Sequence, residues 1–360
     1  MLESLQALAI LILALHEALA FNPYMNNPAR LEDFRSLGNP NWGSMILERR
    51  NHVSMIDQTS GAELLTTDEQ LYSLRFDGVR RLFGASTPGN LQNARVVVAG
   101  LGGVGSWAVE ALARSGIGSL VLIDLDEICI SNTNRQLHAL QHTVGKSKAR
   151  MLAERIGEIN PNCKVSIREQ WILADNAYSL LCEEAECARA QNQTLALLDA
   201  VDGYKEKAAM VAAAHQLNIH VVLSGGAGGK SDPTAVRIAD LTEVNNDRLL
   251  SRVRQTLRKA YGFPAGKTNS HGKGKSRVSK WGVACAYSPE PGKQAEGEGT
   301  LCDRFGTACF ATGAFGFAMA AHLTEALARG DEPPKRPYLQ PPDGHAAHAT
   351  DSQVAHAASS

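Results

Sequence analysis

Nowhere in the 360 residues does a Cys-x-x-Cys pair occur. The seven cysteines, at 129, 163, 182, 187, 285, 302 and 309, make an odd count without paired spacing. That argues against a disulfide framework and against a zinc ribbon, and it fits reduced thiols in an intracellular setting. Charge of one sign is also missing overall: 36 Lys and Arg against 37 Asp and Glu leave a net charge of -1. The molecule as a whole is therefore no electrostatic nucleic-acid binder, and any basic partner surface must be local. Long apolar runs are few. Leu5 to Ala20 is broken by Gln6, His16 and Glu17 and is too short for a confident membrane span, so membrane association would have to go through residues 5–20 alone. The residues before it include Glu3 and no Lys or Arg, an unusual start for a secretory signal.

What is present is a large apolar fraction, 44% with 6% aromatic, enough for one large α/β domain or two smaller ones. Residues 1–67 read as leader and linker. The Ala18-Leu19-Ala20-Phe21 junction resembles the bipartite plastid leaders of algae with complex plastids; a start at Met45 or Met55 is the competing reading. The expected location is intracellular, in a plastid or mitochondrion if the leader acts, otherwise cytoplasmic. Order is expected from Asp68, taken as a capping residue before a helical pattern to Leu82. Strands at 95–99, 119–124, 163–168, 194–198 and 219–223 alternate with helices at 104–115, 146–158, 175–188 and 204–217. That alternation predicts an α/β fold, a Rossmann-like and mostly parallel sheet flanked by helices, over 68–330.

Two later segments stand apart. From 248 to 280 there are ten Lys and Arg and no Asp or Glu, a basic arm in which Lys273, Lys275 and Arg277 are candidate phosphate contacts. Phe305 to Leu323 is rich in Gly and Ala, which fits close helix packing in a core or a dimer seam. Residues 331–360, with His345, His348 and His356, read as a disordered tail. His138 and His142 are four apart with no third ligand in evidence, so packing or surface roles are expected for them.

The chemistry lies between. Gly100, Gly102, Gly103 and Gly105 follow Val96-Val97-Val98 and open an apolar helical pattern. Glycines at a strand-to-helix turn let backbone N–H groups approach a phosphate, and the helix N-terminus adds partial positive charge. Such a turn alone is shared with dehydrogenases. Asp124 at the end of the next strand suits ribose hydroxyls, with Asp126 close by as a second polar contact or a structural one.

The blocks Gly100-Leu-Gly-Gly-Val-Gly105, Ile123-Asp-Leu-Asp126, Ser131-Asn-Thr-Asn-Arg-Gln136, Val144-Gly-Lys-Ser-Lys148 and Asp199-Ala-Val-Asp202 resemble, in this order, the adenylation domain of the ubiquitin-activating enzyme superfamily. Within it, Arg75 to Gly84, Ser224 to Lys230, Asp232-Pro-Thr234 and Tyr287-Ser-Pro-Glu290 resemble the tRNA threonylcarbamoyladenosine dehydratases. The resemblance implies a single ThiF-like adenylation domain with a C-terminal α/β extension, ATP and Mg²⁺ as cofactors, tRNA as partner and a homodimer. It implies that Arg135 and Lys148 bind the triphosphate, that Asn132 contacts phosphate or metal, and that Asp202 holds Mg²⁺. These cations have no purpose in hydride transfer. The second glycine-rich turn, Gly225 to Gly229, is either a substrate or alkali-metal site or a plain tight turn. A sulfur-relay protein is a further candidate partner. An activating enzyme for a ubiquitin-like or sulfur-carrier protein is the competing activity, but the missing Cys-x-x-Cys pairs and the acid-free arm speak against it, so no ubiquitin-like partner is expected. An inactive nucleotide-binding subunit is the non-enzymatic alternative, opposed by the presence of Arg135, Lys148 and Asp202. Cys302 reads as a buried structural thiol.

Overall fold

The computed structural model describes residues 67–264, 280–293 and 305–334, all within the unit Leu65–Ser360. The leader, Lys273, Lys275, Arg277, Cys302 and the tail beyond Pro334 lie outside the described residues.

The chain runs α1 (Asp68–Phe83), α2 (Thr87–Gln92), β1 (Ala94–Ala99), α3 (Gly105–Arg114), β2 (Ser119–Ile123), α4 (Lys148–Ile159) and β3 (Lys164–Arg168). It continues through α5 (Ala177–Ala190), β4 (Thr194–Asp199), α6 (Tyr204–Gln216), β5 (His220–Ser224), β6 (Arg237–Asp240), α7 (Arg248–Ala260), β7 (Ala284–Tyr287) and α8 (Cys309–Arg329). The strands form one sheet in the order β3-β2-β1-β4-β5-β7-β6, parallel except for the β6–β7 pair. The C-terminal extension is thus the far edge of the same sheet.

β1 shows why the sheet is central. All six of its residues are buried, and β-branched valines favour the extended backbone. Alternation sends Val96 and Val98 into the core under α3, α4 and α8, and Val97 and Ala99 into the core under α5, α6 and α7. On the β3 side, Glu184 of α5 is fully buried and accepts from Arg95 Nε at 2.9 Å and Arg168 Nη2 at 2.8 Å, so a charged clamp ties the helix to β1 and β3.

Two local readings need correction. The cap of α1 is Thr67: its side chain accepts from Gln70 N while Gln70 Oε1 accepts from Thr67 N, so Asp68 is the first helical residue. The first part of the supposed arm is a helix, α7, capped by Asp247 and packed through Leu250, Val253 and Leu257. Its arginines are partly engaged within the fold: Arg254 Nη1 donates to the carbonyls of Leu241 and Val244, and Arg258 lies over the ring of Trp281. The glycine-rich segment forms α8, whose Gly316 lies so close to α3 that a Cβ there would stand 2.5 Å from Val104 O. Among the described residues no helix is long and apolar enough to cross a membrane.

Candidate nucleotide site

Gly100 leaves β1 at a positive φ of 83°, pressed against the chain emerging from β4: a Cβ there would lie 3.0 Å from Ala200 O and Val201 N. Gly105 then opens α3 directly above Gly100 O, where a Cβ would sit at 1.9 Å. These close backbone approaches shape the turn, and the first amides of α3 have no carbonyls of their own helix to pair with. β2 and β4 flank β1 on opposite sides, all three parallel, so the strand order reverses at the carboxyl end of β1, which is where ligands bind in such folds.

A cavity of about 700 Å³ lies at that point. Its lining includes Gly100, Gly102, Gly103, Asp124, Asp126, Asn132, Arg135, Lys148 and Asp202. The Lys148 position follows from the chain zipping back along itself: Ile128 N donates to Lys146 O, Gly145 N to Ile128 O and Lys148 N to Asp126 O. Lys148 Nζ then reaches Asp126 Oδ2 at 2.7 Å; the lysine is nearly buried and the carboxylate half exposed. Asn132 is buried and takes Cys129 N on its Oδ1. Arg135 is tied down by its backbone, its carbonyl accepting from Trp107 Nε1 at 3.0 Å and Thr312 Oγ1 at 3.4 Å. Its guanidinium donates to Ser131 O and Asn134 Oδ1. Asp202 is exposed on the opposite wall with no hydrogen bond or ion pair to other described residues.

Asp124 has two backbone partners: Oδ2 accepts from Leu101 N at 2.7 Å and Oδ1 from Asp126 N at 2.8 Å. Its carboxylate thereby links the glycine turn to β2. His138 is buried with both ring nitrogens unpartnered among the described residues; desolvation, reinforced by Lys148, lowers its pKa to about 4. It is neutral near pH 7. Because the unfolded chain takes up that proton near pH 6.5 and the folded chain only near 4, acid between those values favours unfolding. Burial raises the Cys285 thiol and pushes Cys163 up to about 12, so neither is a ready nucleophile.

The second glycine turn follows β5. Gly226 N donates to Asp247 Oδ2, the cap of α7, and Lys230 Nζ donates to Ser288 O at 3.2 Å and to Glu290 O. Glu290 gathers the amides of Ser231 and Asp232 and the Ser231 hydroxyl, which hold its carboxyl down at about 2. Gly225, Gly226 and Gly228 line the same cavity.

The ThiF family profile matches residues 78–358, most of the chain. The chain belongs to the ThiF family. It is 37% identical over 271 residues to the tRNA threonylcarbamoyladenosine dehydratase of Escherichia coli K12, covering 70% of this chain and 93% of that protein. It is 38% identical over 264 residues to the Haemophilus influenzae enzyme of the same name, covering 71% and 94%. The crystal structure of the E. coli dehydratase in complex with AMP superposes with a TM-score of 0.61 at 36% identity, covering 73% of this chain and 97% of that one. The same enzyme in complex with ATP gives 0.60.

As in the sequence reading of this ThiF-family chain, Gly100, Gly102, Gly103, Asp124, Asp126, Asn132, Arg135, Lys148 and Asp202 meet at one cavity, whereas Gly105 packs onto Gly100 and does not line it. Lys146, two residues before Lys148, is exposed and does not line it. Sequence reasoning missed Trp171 and Leu173, which enter the cavity wall from the β3–α5 loop, and Thr307 and Thr312 around the start of α8. Trp171 is 62% exposed, its carbonyl held by Asn176 Nδ2 at 2.8 Å. A single aromatic after a strand carries no periodic signal, so nothing in the sequence marked it.

Proposed function

We propose that this protein is an ATP-dependent tRNA threonylcarbamoyladenosine dehydratase. In this reading the free carboxylate of the threonyl group attacks the α-phosphate of ATP; the α–β phosphoanhydride bond breaks and pyrophosphate leaves. The resulting acyl-adenylate has AMP as its leaving group. An internal ureido nitrogen or oxygen then closes a ring onto the carboxyl carbon, the carboxyl oxygen departs on AMP, and the net change is loss of water. No nucleophile from the protein is needed.

The observation that carries this reading is the convergence of Gly100, Gly102, Gly103, Asn132, Arg135, Lys148 and Asp202 on one cavity, in a chain matching dehydratases over nearly their full length. The glycine turn and the start of α3 would receive phosphate oxygens. Lys148 and Arg135 would offset the charge of two anions brought together and of departing pyrophosphate. Asp124 and Asp126 would serve the ribose side, and the aromatic face of Trp171 fits a purine base. The Asp202 carboxylate, unpartnered among the described residues, and the Asn132 amide offer the oxygen donors that suit Mg²⁺. Held there, Mg²⁺ would supply positive charge to offset that of the phosphates. An alkali-metal ion at Gly225–Gly229, a homodimer, a sulfur-relay partner and an organelle leader belong to the same proposal, as does the division into leader, adenylation domain at 68–330 and tail.

The direct test is to incubate the protein with ATP and tRNA carrying threonylcarbamoyladenosine and to analyse the nucleosides by mass spectrometry. The expected product is lighter by one water and appears with AMP and pyrophosphate. Pyrophosphate release with a ubiquitin-like or sulfur-carrier protein, and none with tRNA, would assign the competing activity instead.

The basic segment gives a second expected result. Neutralising Lys273, Lys275 and Arg277 should weaken tRNA binding, each lost phosphate contact lowering the log–log salt slope by about 0.7 to 0.9. An unchanged slope at unchanged affinity would show that this stretch is only a solvated loop.

A further inference from the structure

The end of β4 carries a buried ion pair that the reaction above does not use. Asp199 and Lys207 are both wholly inaccessible to solvent. Lys207 Nζ donates to Asp199 Oδ1 and to the Asp199 carbonyl, each at 2.9 Å, and Oδ1 also accepts from Val201 N at 3.0 Å. One ammonium and one carboxylate therefore hold the first peptides of the turn that leads to Asp202. The other constraints on this turn come from the backbone. Ala200 N donates to Ala99 O at 2.8 Å, Gly100 presses on Ala200 and Val201, and Lys207 N donates to Gly203 O at 3.0 Å. Between these fixed points the Asp202 side chain is left facing the cavity.

Core packing does not account for the charges. From Lys207 to Ala214 α6 is buried all round and, Lys207 apart, apolar, and a hydrophobic pair of similar volume would avoid the desolvation penalty of two buried ions. Asp199 Oδ2 has no hydrogen-bond partner among the described residues, so the pair is not fully satisfied either. What its hydrogen bonds do reach is the Asp199 carbonyl and the Val201 amide, at the entry to the 200–203 turn.

We propose that Lys207 is a positioning residue of the adenylation site: acting through Asp199, it sets the 200–203 turn so that the Asp202 carboxylate meets the Mg²⁺ that accompanies ATP. This rests on the reading of Asp202 given above.

Lys207→Met keeps the volume and removes the ammonium. Binding of a non-hydrolysable ATP analogue is followed by calorimetry across a Mg²⁺ titration and in EDTA, with a thermal melt of each variant. The expected result is a Mg²⁺ midpoint raised by about 10- to 100-fold, the usual cost of losing an outer-shell partner of a metal ligand, with affinity in EDTA unchanged. Lys207→Arg, which keeps charge and donors, should restore most of the shift. If Lys207→Met does not fold, the double variant Asp199→Asn with Lys207→Gln, which leaves no unpaired buried charge, is measured instead and should show the same rise. A purely structural role would lower the melting temperature and leave the midpoint in place, and a folded variant with the wild-type midpoint overturns the proposal. Asp202→Asn is titrated in parallel. If it shifts the midpoint and the Lys207 variants do not, only the positioning role fails; if it has no effect, the reading of Asp202 fails and the proposal with it.

Discussion

Lys148→Ala is expected to reduce ATP–pyrophosphate exchange by about a hundredfold or more, equivalent to roughly 3 kcal/mol of transition-state stabilisation, while the protein remains folded. Two effects add. Lys148 is 5% exposed, so its charge is poorly screened by solvent, and it is the buried cation on this wall of the cavity. Its partner Asp126 is half exposed and, without the lysine 2.7 Å away, would turn an uncompensated negative charge toward the incoming triphosphate. Arg135→Ala should act in the same direction. Steady-state exchange with circular dichroism on the purified variants checks both, and near-normal rates in both would remove these residues from the reaction.

The family resemblance pointed to Lys148 in the block Val144 to Lys148, and the structure shows how that lysine differs from Lys146. The Gly145 turn and the strand-like pairing of 126–128 with 145–148 fix which lysine is buried. The sheet was similarly legible, because β1, β2, β4 and β5 are short, largely apolar runs buried on both faces, while β3 is a partly exposed edge strand that follows the same alternation with helices. α7 was not. Its lack of acids outweighed the Leu250, Val253, Leu257 spacing, and the apolar partners that make sense of that spacing, Phe263 and Trp281, follow it in the chain without periodicity. β6 and β7 were missed for a related reason: each is four residues long, and β7 joins β5 only after an excursion through β6 and α7. In the sequence Lys207 is one more charge near a helix start. Only the fold reveals that it points inward onto Asp199.

The glycine turn makes the most severe demand on a single position, and Gly105→Ala measures it. Gly100 and Gly105 are usually read together as phosphate-loop glycines, yet the obstacles to a side chain differ. At Gly100 the backbone φ is positive and the neighbouring chain is 3.0 Å away, a contact that a small shift relieves in part. At Gly105 the new methyl would stand 1.9 Å from Gly100 O and 3.0 Å from Gly100 C, so helix and turn must separate before it fits. They cannot do so freely, because Gly100 N is held by Ile123 O at 2.9 Å and Ser106 N by Gly102 O at 3.1 Å, while Gly316 of α8 closes on Val104 from the other side. Gly105→Ala is therefore expected to destabilise the protein by about 3 kcal/mol, the upper part of the range for overpacking. In a domain of this size that lowers the melting temperature by roughly 6 to 10 °C. Nucleotide affinity should fall with it, since the amides that face the phosphates are the ones displaced. Differential scanning calorimetry with and without ATP reads both effects: the ligand-induced rise in melting temperature expected of the wild type should disappear. A variant that keeps that rise would mean that the turn accommodates a side chain and that the phosphates are held by Lys148 and Arg135 alone.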